Sequence, residues 1–109
     1  MSTISTHVLD TAVGKPAQGI AVTLERDVQL LGSGVTDGDG RVRELLTPGT
    51  TLSPGIHTLT FEVADYFTAM RREAFYDRIV ISFRIAGGDV HYHVPLLLSP
   101  FGYSTYRGS

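Results

Sequence analysis

Apolar and polar side chains alternate with a period of two along most of this chain, the spacing that puts one face of a strand on a core and the other outward. Over residues 3–10, Ile4, Thr6 and Val8 share one face and Ser5, His7 and Leu9 the other, and Gly14-Lys15-Pro16 closes the run with a turn. Ile20, Val22 and Leu24 alternate with Ala21, Thr23 and Glu25, and a further short strand is expected around 28–36. The glycines and aspartates of TDGDGR then supply a tight turn that delivers Arg41 at its exit. Pro48, Gly49, Pro54 and Gly55 mark 48–55 as loop, after which His57, Leu59, Phe61 and Val63 alternate with Thr58, Thr60 and Glu62. From Asp65 to about Phe75 the period changes: Tyr66, Met70 and Ala74 recur at helical spacing and Asp65 stands where a cap belongs, so the pattern predicts one short helix. Ile79, Ile81, Phe83 and Ile85 restore period two, Gly87-Gly88 make a turn, and Val90, Tyr92, Val94, Leu96 and Leu98 form a last strand. Seven to eight short strands separated by frequent turn signals predict an all-β fold, a two-sheet antiparallel sandwich with one short helix.

Composition narrows the partners. A chain of 109 residues, 42% hydrophobic and without repeat or linker, is expected to form a single domain over 1–109. A net charge of -2 with no basic stripe argues against nucleic acid. The absence of cysteine removes disulfides and thiolate chemistry and fits a reducing, cytoplasmic setting. No membrane partner is expected, because no apolar segment approaches the length of a span, and MSTISTHVLD has no signal-like apolar run.

Strand parity points to candidate chemistry. If Tyr92, Val94, Leu96 and Leu98 face the core, Asp89, His91, His93 and Pro95 line the opposite face. Two histidines so placed can be solvated strand residues, can share protons, or can begin a metal site. A metal would need a third ligand that no spacing supplies. TDGDGR fails as a calcium loop, since Arg41 and Val42 follow where a ligand and a glycine are needed, and no nucleophile elbow is present. Arg71-Arg72 reads as a solvated helix face and His57 as a satisfied structural histidine. Tyr103 and Tyr106, with Arg107, read as anchors for the end of the chain.

STHVLDTAVGKPA, TDGDGR and HYHVPLLLSPFGYSTYRGS together resemble the 5-hydroxyisourate hydrolases, transthyretin-related enzymes of urate degradation. The terminal Tyr-Arg-Gly-Ser is a mark that hormone-carrying transthyretins lack, and FYDRIV departs from the relatives' pattern, Asp77 standing where proline is common. The resemblance implies a transthyretin-like sandwich, a homotetramer built as a dimer of dimers with sites in the cleft between dimers, and a small purine-derived substrate. It implies catalytic roles for His7, Arg41 and His93, and substrate binding by Tyr106, Arg107, Gly108 and Ser109, with His91 as a neighbour. The implied reaction opens a ring lactam by histidine-assisted attack of water, with no metal or organic cofactor. Ser109 would offer a hydroxyl and a carboxylate. Two other readings stand beside it: a transthyretin-like small-ligand carrier without catalysis, and a structural sandwich that binds protein partners.

Overall fold

In the computed structural model, which describes residues 2–109, the strands are β1 (Thr3–Asp10), β2 (Lys15–Pro16), β3 (Ala21–Arg26), β4 (Gln29–Val35), β5 (Arg41–Val42), β6 (Gly55–Phe61), β7 (Ile79–Ile85), β8 (His91–Ser99) and β9 (Gly102–Thr105), with the helix α1 (Val63–Ala69). One sheet runs β2-β1-β8-β9, with β5 also paired to β1, and the other runs β4-β3-β6-β7. The two-sheet sandwich agrees with the periodicity. The strand count exceeds the expected seven to eight because β2 and β5 are two-residue pairings that no alternation could signal. The antiparallel character expected of the sheets holds with one exception. The β1 and β8 strands are parallel, with Ser5 opposite His93 and His7 opposite Pro95, whereas the other strand pairs are antiparallel.

The core lies between the sheets and is drawn from the predicted faces. Ile4 and Val8 of β1 share one buried cluster with Leu24, Leu59, Phe61, Ile79, Leu96 and Leu98, and side chains of this size stabilise the fold by about 1.5–3 kcal/mol each relative to exposure. On β8, Tyr92, Val94, Leu96 and Leu98 are buried as parity requires, His91 is exposed and His93 half-buried. Pro95 keeps the expected face beside His93 but is buried there, its Cγ close to Gly108 of the terminal segment.

The helix is shorter and earlier than expected. It begins at Val63, so Val63 leaves the β6 alternation, and Asp65 lies in the first turn without capping it. It ends because Arg71 adopts φ 55°, and the Arg71 and Arg72 amides donate back to the Thr68 and Phe67 carbonyls, both at 3.0 Å. This left-handed close with paired back-bonds is a Schellman stop, and it takes Met70 and Ala74 out of the helical stripe. It also overturns the solvated reading of Arg72, whose guanidinium donates to the fully buried Asp10 carboxylate at 2.6 Å. The expected satisfaction of His57 is half met: Nδ1 is 3.0 Å from the Gly55 carbonyl, while the buried Nε2 has no partner among the described residues.

Candidate active site

The site grows from β1. Its outward residues Ser5 and His7 are flanked on one side by β8 and on the other by β5, with His7 opposite Arg41. Arg41 is placed there by the preceding turn. The Asp37 carboxylate accepts from the Asp39 and Arg41 amides at 2.9 and 3.0 Å, which holds its pKa below the usual carboxylate value. Gly40 then sits at φ +75°, and its carbonyl accepts from the Val8 amide at 2.7 Å. A Cβ on Gly40 would lie 2.4 Å from the Val8 carbonyl oxygen, so a side chain would push the turn, and Arg41 with it, off the strand.

Ser5, Thr6, Arg41, Arg43, His91, His93 and Ser109 line an open cavity of about 320 Å³. Of the sequence candidates, it therefore gathers Arg41, His91, His93 and Ser109. His7 is off this wall, yet on the same face and close enough to bear on His93 electrostatically. Gly108 stands directly behind the His93 ring, its amide donating to the His93 carbonyl at 2.8 Å. Tyr106 and Arg107 are elsewhere: they line a second hollow of about 240 Å³ with Phe83 and Tyr92, and the Arg107 guanidinium lies 4.8 Å from the centre of the Tyr92 ring. Tyr106 is 58% exposed and makes no ring contact among the described residues, whereas Tyr103 packs edge-on against Tyr76.

Burial pushes the His93 imidazole below its usual value of 6.5, and the charges of Arg41, His7 and His91 push in the same direction. A neutral imidazole is thereby favoured beside a fixed guanidinium, the pairing of a proton acceptor with a partner for developing negative charge. No group of three or more histidine or acidic side chains able to hold a metal occurs among the described residues.

Periodicity overlooked Ser5, Thr3 and Arg43. Ser5 Oγ lies 2.9 Å from His91 Nε2 and 2.8 Å from His93 Nδ1, and Thr3 Oγ1 lies 2.5 Å from His91 Nδ1. A signal existed: Thr3, Ser5 and His7 share one parity, as do His91 and His93, and the two sets interleave once β1 is laid beside β8.

Similarity to known proteins follows the same outline. Over 117 aligned residues the chain is 45% identical to a 5-hydroxyisourate hydrolase of Caulobacter vibrioides, covering 100% of both. The solved structure of Klebsiella pneumoniae 5-hydroxyisourate hydrolase superposes with a TM-score of 0.89 at 40% identity, over 100% of this chain and 94% of that one. Sparus aurata transthyretin superposes equally well, TM-score 0.89, but at 27% identity over 97% and 96% of the two chains. A family model matches residues 4–108, and the chain belongs to the HIUase/Transthyretin family.

Proposed function

We propose that this protein hydrolyses 5-hydroxyisourate to 2-oxo-4-hydroxy-4-carboxy-5-ureidoimidazoline in urate degradation. The observation that carries the reading is the convergence of Arg41, His93 and Ser109 on one polar cavity, with His7 paired in register to Arg41. His93, with His7 as its partner, takes a proton from water as the water attacks the ring lactam carbonyl. A positioned base of this kind contributes about 10²–10⁴-fold. Arg41 holds the electron-rich ring and steadies the oxyanion, worth about 3–4 kcal/mol for a well-placed donor. The chain's own groups supply both roles, and the reading asks for no cofactor.

The terminal segment forms one wall. Ser109 faces the cavity, Gly108 supports the His93 ring, and Arg107 ties the segment to the sheet through Tyr92. Assembly completes the site in this reading. The cavity is open, the strands β7 and β9 end their sheets, and Val80, Tyr103 and Tyr106 are exposed apolar surface near those edges. Open strand edges favour pairing with further copies, which supports a homotetramer arranged as a dimer of dimers. A carrier for an apolar ligand would leave Arg41 and His93 desolvated without compensation. No helix among the described residues is long and apolar enough to cross a membrane, and a cytoplasmic location is part of the proposal.

Freshly generated 5-hydroxyisourate, followed by its ultraviolet absorbance, tests the activity. Decay should accelerate in proportion to protein concentration, and a rate equal to the uncatalysed one would overturn the reading.

A further inference from the structure

The chain of contacts Thr3–His91–Ser5–His93 crosses from exposed surface to the cavity through four side chains on two parallel strands. Its links are 2.5, 2.9 and 2.8 Å long, all hydrogen-bond distances. Both nitrogens of His91 are occupied by hydroxyls. His91 therefore has no ring nitrogen left for a substrate. His93 has its Nδ1 on Ser5, which leaves Nε2 as the ring nitrogen open to the cavity.

A serine hydroxyl carries one proton, so Ser5 can donate to one imidazole only while accepting from the other. The two rings are thereby locked to each other. In one arrangement His93 Nδ1–H donates to Ser5, Ser5 donates to His91 Nε2, and His91 Nδ1–H donates to Thr3. His93 Nε2 is then bare and can accept a proton. In the opposite arrangement every donor is reversed, and His93 carries its proton on Nε2.

From this geometry we infer that Ser5 is a positioning residue that couples the tautomers of His91 and His93 and passes to the surface the proton His93 takes up. The step balances. A proton arrives at His93 Nε2, the Nδ1 proton moves to Ser5, the Ser5 proton moves to His91 Nε2, the His91 Nδ1 proton moves to Thr3, and Thr3 releases its original proton to solvent. Thr3 is exposed and can do so, whereas Ser5 is buried at 8% exposure, where water cannot readily take its place. The charged and titratable groups facing His93 are Arg41 from β5, His7 from β1 and His91 from its own strand, with Arg43 and the terminal Ser109 on the cavity wall. Burial and the fixed Arg41 guanidinium oppose a lasting imidazolium at His93, which is the condition under which a route for the proton matters.

The kinetic part of this inference rests on the hydrolase reading; the tautomer coupling does not, and the test separates them. Nitrogen-15 spectra of the histidine rings in the whole protein should show His93 Nδ1 and Nε2 sharply inequivalent at neutral pH. In Ser5→Ala they should move toward the free-imidazole mixture, and Ser5→Thr, which keeps a hydroxyl, should restore the wild-type pattern. With 5-hydroxyisourate as probe, Ser5→Ala should lower kcat at least tenfold with KM within twofold, and Ser5→Thr should recover most of the loss. His91→Phe, at an exposed position, provides a second interruption and should lower kcat without Ser5 being touched. Unchanged ring spectra in Ser5→Ala, or full turnover in both Ser5→Ala and His91→Phe, would overturn the inference. Wild-type protein inert toward 5-hydroxyisourate would overturn the hydrolase reading instead, with the spectra still deciding the coupling.

Discussion

Gly108 and His93 are in mutual contact at both backbone and side chain: the Gly108 amide donates to the His93 carbonyl at 2.8 Å, and a Cβ on Gly108 would lie 2.6 Å from His93 Cδ2. The glycine is thus the space into which the imidazole fits. His93 cannot yield freely, because its Nδ1 is held by Ser5, and Pro95 Cγ, 3.2 Å from the same added atom, blocks a shift along the strand. Gly108→Ala should therefore displace the ring and lower kcat/KM by about 10²-fold, in keeping with the steep cost of a misplaced catalytic group. Its melting temperature should stay close to wild type, since the terminal segment adds little to the core. Wild-type turnover in Gly108→Ala would show that the position of the His93 ring does not limit the reaction.

Single substitutions of the three proposed catalytic residues should separate activity from stability. Arg41→Ala should cost about 10²–10³-fold in turnover, and His93→Ala and His7→Ala about 10²–10⁴-fold. All three side chains lie outside the buried core cluster, so urea midpoints should move little. Near wild-type turnover in His93→Ala, measured by ultraviolet absorbance, would remove the outward histidine row from the mechanism.

The pH profile carries a sign. Burial and neighbouring cations hold the His93 pKa below 6.5, so the neutral, proton-accepting form persists as pH falls from neutrality through that value. The acid limb of kcat/KM should then have its midpoint below 6.5. Folding is linked in the same direction: below pH 6.5 the unfolded chain takes up the proton before the native one does, and stability declines until the native pKa is reached. Raising ionic strength should weaken the charge contribution and move the midpoint up, leaving the part due to burial. An acid limb above 6.5 would identify another group as the titrating base.

Legibility in the sequence followed the range of the interactions concerned. The β8 faces were readable because Tyr92, Val94, Leu96 and Leu98 repeat at the strand's own period, and burial obeys it. The turn before Arg41 was readable because its hydrogen bonds join residues within four positions of one another. The end of α1 was not, since Tyr66, Met70 and Ala74 keep a helical period through an Arg71 that takes a left-handed conformation, and no glycine announces it. The Ser5 link depends on the parallel register of β1 against β8, a pairing between opposite ends of the chain that local pattern cannot express. Arg72 was misread for the same reason, its partner Asp10 being brought to it by the sandwich as a whole.

Asp10 and Arg72 supply the sharpest test of what holds α1 to β1. The Asp10 carboxylate is fully buried and accepts from Arg72 Nη1 at 2.6 Å, Arg72 Nη2 at 3.3 Å, Tyr66 Oη at 2.8 Å and the Ala12 amide at 3.1 Å. Desolvation raises its pKa, but the hydrogen bonds from Arg72 and Tyr66 and the Arg72 charge outweigh it, and the net value lies below the usual 3.8. Burial and the same carboxylate push the Tyr66 phenol up to about 12. Removing the cation in Arg72→Met strands a buried charge, for which a loss of about 3–5 kcal/mol is expected at neutral pH. The dependence on pH then distinguishes this from a simple packing defect. In the wild type, Asp10 contributes stability above pH 3.8 that disappears as pH falls through its lowered native pKa. In Arg72→Met, desolvation is no longer opposed by the guanidinium, the native pKa rises, and the carboxyl protonates more readily folded than unfolded. The stability gap between the two proteins, read from urea midpoints, should therefore be widest near pH 7 and narrow as pH falls toward 4. A gap independent of pH would mean that Arg72 acts through its contact with the Phe67 ring, 5.0 Å from the guanidinium carbon, and not through the charge of Asp10.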